Sequence, residues 1–386
     1  MLAGFAVMHP HGNGASWMNI IRIKTLIGAV SALLISLLLT TQGYAYETTF
    51  SGFLSVAGGM TLDDGDEYLV DPSRVDDARF THYDNEFRIN RESIVGLQST
   101  TIINDKMRAV VQVSAKSNNS WDPSLSWIYV NYEINPELDV QVGRFRLPLF
   151  YYSDFLDVGL AYTWIRPPID LYHVPTTESE GLKFTYNKML TDDIQFVSQL
   201  WITGGDEKQT VANVNTVYTD VDDALGINAS LIWPNFSVRA VYSQNKRDTT
   251  ISVMNYSTFP ATTLTQKMLN DIEFRGLAFT VDEGNFLSRN EYINFSIGQA
   301  SAEAWYVSGG YMWDDYTFML TQSRKDGFDR YNNYADLTSD TTTLGVNYSV
   351  NHSAALKFEY SHQTTQLAAD PEESVDLLAV ALDVVF

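Results

Sequence analysis

The chain reads as an all-β protein, a transmembrane antiparallel up-and-down β-barrel of about sixteen strands. Three observations predict it. Large apolar residues alternate with small or polar ones almost throughout the region after residue 45, a period of two that belongs to strands with unlike faces. The connections between these runs alternate between short turns and long loops. No other stretch approaches the eighteen consecutive apolar residues of a membrane-crossing helix, so any crossing must be made by strands.

The first 45 residues have a different character. Arg22 and Lys24 precede the apolar run Thr25 to Leu39, followed by Thr40-Thr41-Gln42-Gly43-Tyr44-Ala45. A charged start, a short apolar core and small residues at Gly43 and Ala45 form a cleaved export signal, with processing expected after Ala45. Met18 is the expected start, residues 1–17 an upstream extension, and residues 46–386 a single barrel.

Strands are expected at 48–60, 85–101, 106–116, 125–134, 138–146, 180–189, 193–203, 223–233, 236–246, 271–281, 286–298, 302–313, 316–324, 340–350, 354–364 and 375–386. Most match the nine to eleven residues that a tilted strand needs to cross a bilayer. Short turns fall at Asn104-Asp105, Asn135-Pro136-Glu137, Thr191-Asp192, Pro234-Asn235, Asp282 to Asn285, Asp314-Asp315 and Asn351-His352-Ser353, where Pro, Gly, Asn and Asp supply the turn geometry. Longer loops are expected at 61–84, 147–179, 204–222, 247–270, 325–339 and 365–374.

Several strands show which face meets which solvent. Leu344, Val346, Tyr348 and Val350 oppose Thr343, Gly345, Asn347 and Ser349; Leu356, Phe358 and Tyr360 oppose Lys357, Glu359 and Ser361. The apolar set belongs against lipid and the polar set in a wet lumen. Phe50, Tyr132, Trp233, Phe236, Phe286, Trp313, Tyr316 and Phe386 gather beside the short turns, as an interfacial aromatic girdle would. Sixteen strands enclose an aqueous channel, whereas eight leave only enough room for side chains.

Leu378, Val380, Leu382, Val384 and Phe386 alternate to the last residue. This segment resembles the C-terminal strand of Gram-negative outer-membrane barrels, in which the terminal aromatic is an assembly signal. The segment Val142-Gly143-Arg144-Phe145-Arg146-Leu147-Pro148-Leu149-Phe150, which opens the third long loop, resembles the general Gram-negative porin family. Phe145 stands where the family commonly has glutamine, and the loop tip lacks a Pro-Glu-Phe-Gly-Gly type segment. The resemblance implies a sixteen-stranded trimer in the outer membrane whose third loop folds into the lumen and narrows it. It also implies acidic loop residues facing basic wall residues, with outer-membrane lipid, lipopolysaccharide and the barrel assembly machinery as partners.

Asp154 and Asp157 are the expected acidic side of that constriction, since three residues of helical spacing would put both on one face. Strand parity turns Arg88, Lys116 and Lys183 inward near the loop side, and Arg108, Arg239 and Lys357 inward nearer the short turns. Arg144 and Arg146 share outward parity with Val140 and Val142, and line the lumen only if the regular strand ends at Gly143. Arg91 and Ser93 have outward parity too, which a subunit contact would explain, and a bulge would equally accommodate Arg91.

Composition limits the function. With 25 basic against 47 acidic residues, the chain lacks the basic surface that nucleic acid requires. It has no cysteine, hence no disulfide or thiolate site. No metal-ligand spacing and no phosphate-cradling glycine motif occurs, and no cofactor is expected. His82, His173, His352 and His362 fall in no nucleophile–base arrangement, so a barrel hydrolase is the weaker alternative. The expected activity is passive diffusion of ions and small hydrophilic solutes. The alternative is a substrate-specific channel, for which the aromatic third loop could serve as a stacking slide.

Overall fold

Alternation becomes architecture because a lipid-facing strand must satisfy every backbone polar group within the sheet, and only closure removes the edges. The computed structural model describes residues 47–70, 82–172, 178–211, 215–255, 262–329, 335–368 and 371–386; the expected signal segment lies outside them. The described strands are β1 (Glu47–Thr61), β2 (Tyr68–Leu69), β3 (His82–Tyr83), β4 (Ile94–Asn104), β5 (Met107–Lys116), β6 (Pro123–Asn135), β7 (Leu138–Arg146), β8 (Glu178–Met189) and β9 (Gln195–Val211). They continue as β10 (Asn215–Trp233), β11 (Phe236–Asn255), β12 (Thr262–Glu283), β13 (Phe286–Ile297), β14 (Ala300–Trp313), β15 (Tyr316–Asp329), β16 (Ala335–Asn351), β17 (Ala354–Leu367) and β18 (Glu373–Val385). Sixteen of them, β1 and β4–β18, form one closed antiparallel barrel, and β2 with β3 make a separate two-residue ribbon.

Closure is made by β1 and β18, paired from Phe53↔Val385 to Thr61↔Leu377. Phe386 adds a reciprocal backbone pair with Gly52 at 2.7 and 3.0 Å. A Cβ on Gly52 would come within 2.5 Å of the Phe386 ring, so glycine lets the terminal ring lie flat on β1. On β18, Leu377, Ala379, Ala381 and Asp383 are buried inside, while Leu378 and Leu382 are 45% and 41% exposed on the outer face. The register carries this parity around the barrel, and all eight expected girdle aromatics fall on the outer face beside the short turns. They also pack on one another, as in Trp233–Phe236 and Phe286–Tyr311, with ring centroids 5.3 and 5.0 Å apart.

Two expectations are corrected. Residues 85–93 are not part of a strand; only an isolated bridge, Gly59↔Arg88, ties them to the wall, and β4 starts at Ile94. Arg91 and Ser93 therefore do not face outward. Both are buried: Arg91 Nε donates to the His82 carbonyl at 2.6 Å, and Ser93 Oγ to those of Ile89 and Ala57 at 2.7 and 3.2 Å. Secondly, much of the expected loops at 204–222, 247–270, 325–339 and 365–374 is strand. β12 alone has 22 residues, ~70 Å at the usual rise and about twice what a crossing needs. Beyond the bilayer an outward residue need not be apolar, so Thr- and Asp-rich sequence continues the hairpin where alternation no longer marks it.

Candidate channel constriction

The third long loop, L3, spans residues 147–177 between β7 and β8 and is described to Tyr172. It leaves the wall at Leu147-Pro148 and packs inside the barrel. Phe145, Leu147, Leu149, Phe150, Tyr152, Tyr162, Trp164 and Leu171 share one apolar cluster with the lumen-facing Trp201, Val241, Phe274, Ile293 and Tyr306. Phe150 meets Phe274 edge-on at 5.2 Å between centroids, and Trp164 meets Tyr306 at 5.6 Å. Gly226 makes room for Trp201, since a Cβ there would lie 2.0 Å from the indole. L3's aromatic composition is thus spent on packing, and Phe150, Tyr152 and Trp164 offer no exposed stacking surface.

Buried polar groups fasten L3 to the far wall. The Lys357 ammonium, 1% exposed, donates to the carbonyls of Gly159, Tyr162 and Trp164 at 2.7, 2.8 and 2.6 Å. It also pairs with Asp383 at 2.8 Å, in a geometry that makes an ion pair rather than a directed hydrogen bond. Glu291 accepts from the Tyr151 N–H at 2.9 Å and the Tyr172 hydroxyl at 2.7 Å. Glu359 accepts from the Ile165 N–H at 2.7 Å, and Arg166 bridges Glu359 and Glu92. Asp170 takes hydroxyls from Ser323 and Ser339, each at 2.6 Å. Burial pushes the Asp170 carboxyl above its ordinary value, and those hydroxyls offset that only in part. Trp164 Nε1 donates to Thr321 at 2.8 Å, and Arg239 to the Pro148 carbonyl at 2.5 Å.

The expected constriction residues divide. Lys116, Arg146 and Asp157 come together: Asp157 lies 2.5 Å from Arg146 and 3.3 Å from Lys116, and Arg146 also holds Glu178 at 2.9 Å. Burial alone would raise the Asp157 carboxyl, but Arg146 and Lys116 outweigh it and hold it well below the ordinary range. Arg146 is the last residue of β7 and, against its parity, turns in with the chain as L3 begins. Arg144 does not. Pairing stays regular through Arg146↔Glu178, and Arg144 sits on the outward face opposite Ile128, 3.9 Å from Glu180. Gly143 keeps that pairing close, at φ +134° with no room for a Cβ, which would lie 2.2 Å from the Ile128 carbonyl. Arg88 is bound by Asp84 and Glu86 at 2.9 and 2.8 Å in the first long loop, where its bridge partner Gly59 lies near the outer end of β1. Asp154 and Asp157 do not share a face: the 3₁₀ turn covers only Ser153–Phe155, leaving Asp154 half-exposed and Asp157 buried.

Lys183 is lumen-facing on β8 and 6% exposed, its ammonium 5.1 Å from the Phe145 ring centroid. Asp154 and Arg239 are the charged groups that act on it. Lumen-facing residues of β17 and β18 are buried under L3; on β4–β8, Gln98, Arg108, Tyr129, Gln141 and Thr185 keep access to solvent, while Gln112, Ser114, Asn131 and Lys183 are buried. The lumen residues that stay accessible thus lie on the β4–β8 wall, and Asp154 is a half-exposed carboxylate of L3. On the long-loop side, a cavity of about 730 Å³ lies over L3 against β15–β18, lined by Asp66, Glu67, Asp170, Lys325, Gln363 and Glu373 among others. The anchors Glu291, Glu359 and Asp383 were missed in the sequence, although acidic residues at lumen parity were the signal.

Among the described residues the histidines form no nucleophile–base group, and His173 lies outside them. His362 pairs with Asp376 at 2.7 Å on the outer face, and Asp376 also accepts from Tyr360. Among the described residues no cluster of three or more His, Cys, Asp or Glu could hold a metal.

No family model and no curated protein matches the chain. Solved structures do. A loop-deletion form of OmpT, an outer membrane protein of Vibrio cholerae, aligns with TM-score 0.59 and 14% identity over 89% of this chain and 100% of that one. The outer membrane channel DcaP of Acinetobacter baumannii aligns with TM-score 0.58 and 11% identity over 89% and 98%. An anion-selective porin from Comamonas acidovorans aligns with TM-score 0.54 and 13% identity over 89% and 100%. The fold of this chain is that of the sixteen-stranded outer-membrane porins.

Proposed function

We propose that the chain is an outer-membrane channel of porin type, passing ions and small hydrophilic solutes by passive diffusion. The observation that carries this reading is the one-sided placement of L3. It covers the far wall and leaves Gln98, Arg108, Tyr129, Gln141 and Thr185 on β4–β8 accessible to solvent inside an apolar-clad barrel. A barrel closed for purely structural ends would have no use for accessible polar residues along one inner wall. The channel and porin among the solved structures of like fold support the same reading. In this reading the short turns face the periplasm, the long hairpins face outward among lipopolysaccharide, and the chain is exported and inserted by the outer-membrane assembly machinery. A homotrimer is part of the proposal on family resemblance alone, because Arg91 and Ser93 no longer argue for a subunit contact.

The test is conductance. Purified full chain in a planar bilayer should give stepwise, ohmic current increments. Folded, heat-modifiable protein that inserts and gives no current would overturn the channel reading.

A further inference from the structure

We propose that the passage beside L3 selects small anions, although the chain as a whole carries a formal net charge of −22. The inference rests on the channel reading above and assigns its solute class. Net charge does not set the field in a lumen; the charges left bare along the passage do.

Most ionised groups near L3 are already matched. Asp157 is neutralised by Arg146 and Lys116, Asp383 by Lys357, and Glu92 and Glu359 share Arg166. Glu291 and Asp170 are buried and take neutral donors, the L3 hydrogen bonds and the wall hydroxyls, rather than a cation. The β5–β8 wall differs. Arg108, Asn131, Gln141 and Lys183 are successive cross-strand partners on β5, β6, β7 and β8, and all face the lumen. Such partners lie about 5 Å apart, so they form one polar row of two cations and two amides. Arg239 stands close enough to act on Lys183 and also on Glu291, and among the described residues its Nε is buried without a hydrogen-bond partner. Against these three cations L3 presents one carboxylate that acts on the row, Asp154, felt by both Tyr129 and Lys183.

Lys183 is the telling group. Its side chain is more than nine-tenths buried, faces the passage, and makes no hydrogen bond or ion pair among the described residues. Asp154 is the one carboxylate that acts on this ammonium, so the positive charge is only partly offset and adds to a potential that favours a passing anion over a cation. Glu133 and Asp139 face the same lumen two residues further along β6 and β7, roughly 7 Å toward the short turns. They form an acidic belt at the exit, beyond the row that L3 reaches. The ligand class is therefore small, hydrated anions, inorganic or carboxylate.

The experiment is a reversal-potential measurement on full-length protein in a planar bilayer under a potassium chloride gradient. Chloride should be favoured over potassium by about sevenfold, the ratio that a potential of one kT at the constriction imposes on univalent ions. Raising salt from about 0.1 to 1 M shortens the screening length from ~10 to ~3 Å and should bring the ratio toward one. The double variant Arg108→Gln/Lys183→Gln, with folding verified by heat-modifiable mobility, should lower the ratio at low salt, and Asp154→Asn should raise it. Potassium preference in the wild type, a ratio indifferent to salt, or a folded double variant with the wild-type ratio would each overturn the inference while leaving the channel intact. Absence of conductance would instead overturn the channel reading.

Discussion

Substituting Lys357 by Met should release L3. The ammonium places its donors on the Gly159, Tyr162 and Trp164 carbonyls and is the counter-charge of Asp383, which is itself 1% exposed. Removing one partner of such a buried pair costs about 3–5 kcal/mol, because the other charge is left uncompensated. At 1.4 kcal/mol per factor of ten, the balance between docked and undocked L3 should shift by roughly a hundred- to several-thousand-fold. Undocking uncovers the β17–β18 wall and widens the lumen, so single-channel conductance should rise and become noisy. L3 should also become cleavable by added protease in otherwise folded barrels. Lys357→Met/Asp383→Leu removes both charges and should recover much of the docking. A Lys357→Met barrel with wild-type conductance and protease resistance would refute the view that this lysine fastens L3.

Two further outcomes follow from groups already described. Deleting Phe386 removes the backbone pair with Gly52 and the ring over β1; insertion should fall while export continues, measured as the fraction of heat-modifiable barrel in outer-membrane material. The Asp157 carboxyl is held below the usual 3.8, so its stabilisation is complete above that value and is lost as pH falls below it toward the lowered folded value. Thermal melts of wild type should therefore show an acid loss beginning only below about pH 4. Asp157→Asn should lose this component and cost about 3 kcal/mol at neutral pH, because Arg146 would keep Glu178 alone.

The sequence was most legible where one physical rule acts on every second residue. Leu378, Val380, Leu382 and Val384 against Ala379, Ala381 and Asp383 declare both strand and faces, because lipid and water make opposite demands at a spacing of two. Legibility failed where that rule stops. Phe87 and Ile89 alternate around Arg88 like a strand, yet they only lap over Gly58 from outside, and the wall begins at Ile94. In the long hairpins the apolar–polar alternation of the sequence stops, so they looked like loops. At the constriction, parity gave the direction of Lys116, Lys183 and Lys357 but not their partners. Whether Lys357 lines a pore or clasps a loop depends on carbonyls nearly 200 residues earlier. Asp154 and Asp157 look equivalent in sequence, and only the path of L3 separates a bare carboxylate from a neutralised one.

The distance along the chain between L3 and its fastenings bears on the order of assembly. Gly159, Tyr162, Trp164, Ile165 and Arg166 are held by Lys357, Glu359 and, through Lys357, Asp383, all on the last two strands. A barrel that still lacks β17 and β18 has nowhere to seat this part of the loop, so its lumen stays wide while the sheet is open. Seating becomes possible only once β17 and β18 have joined the sheet, the strands that also meet β1 to close it. The last strands thus carry two instructions at once, ending the sheet and narrowing its bore. A barrel whose last two strands have not joined leaves the stretch from Gly159 to Arg166 without these fastenings, although the aromatic side of L3 still meets β9–β14.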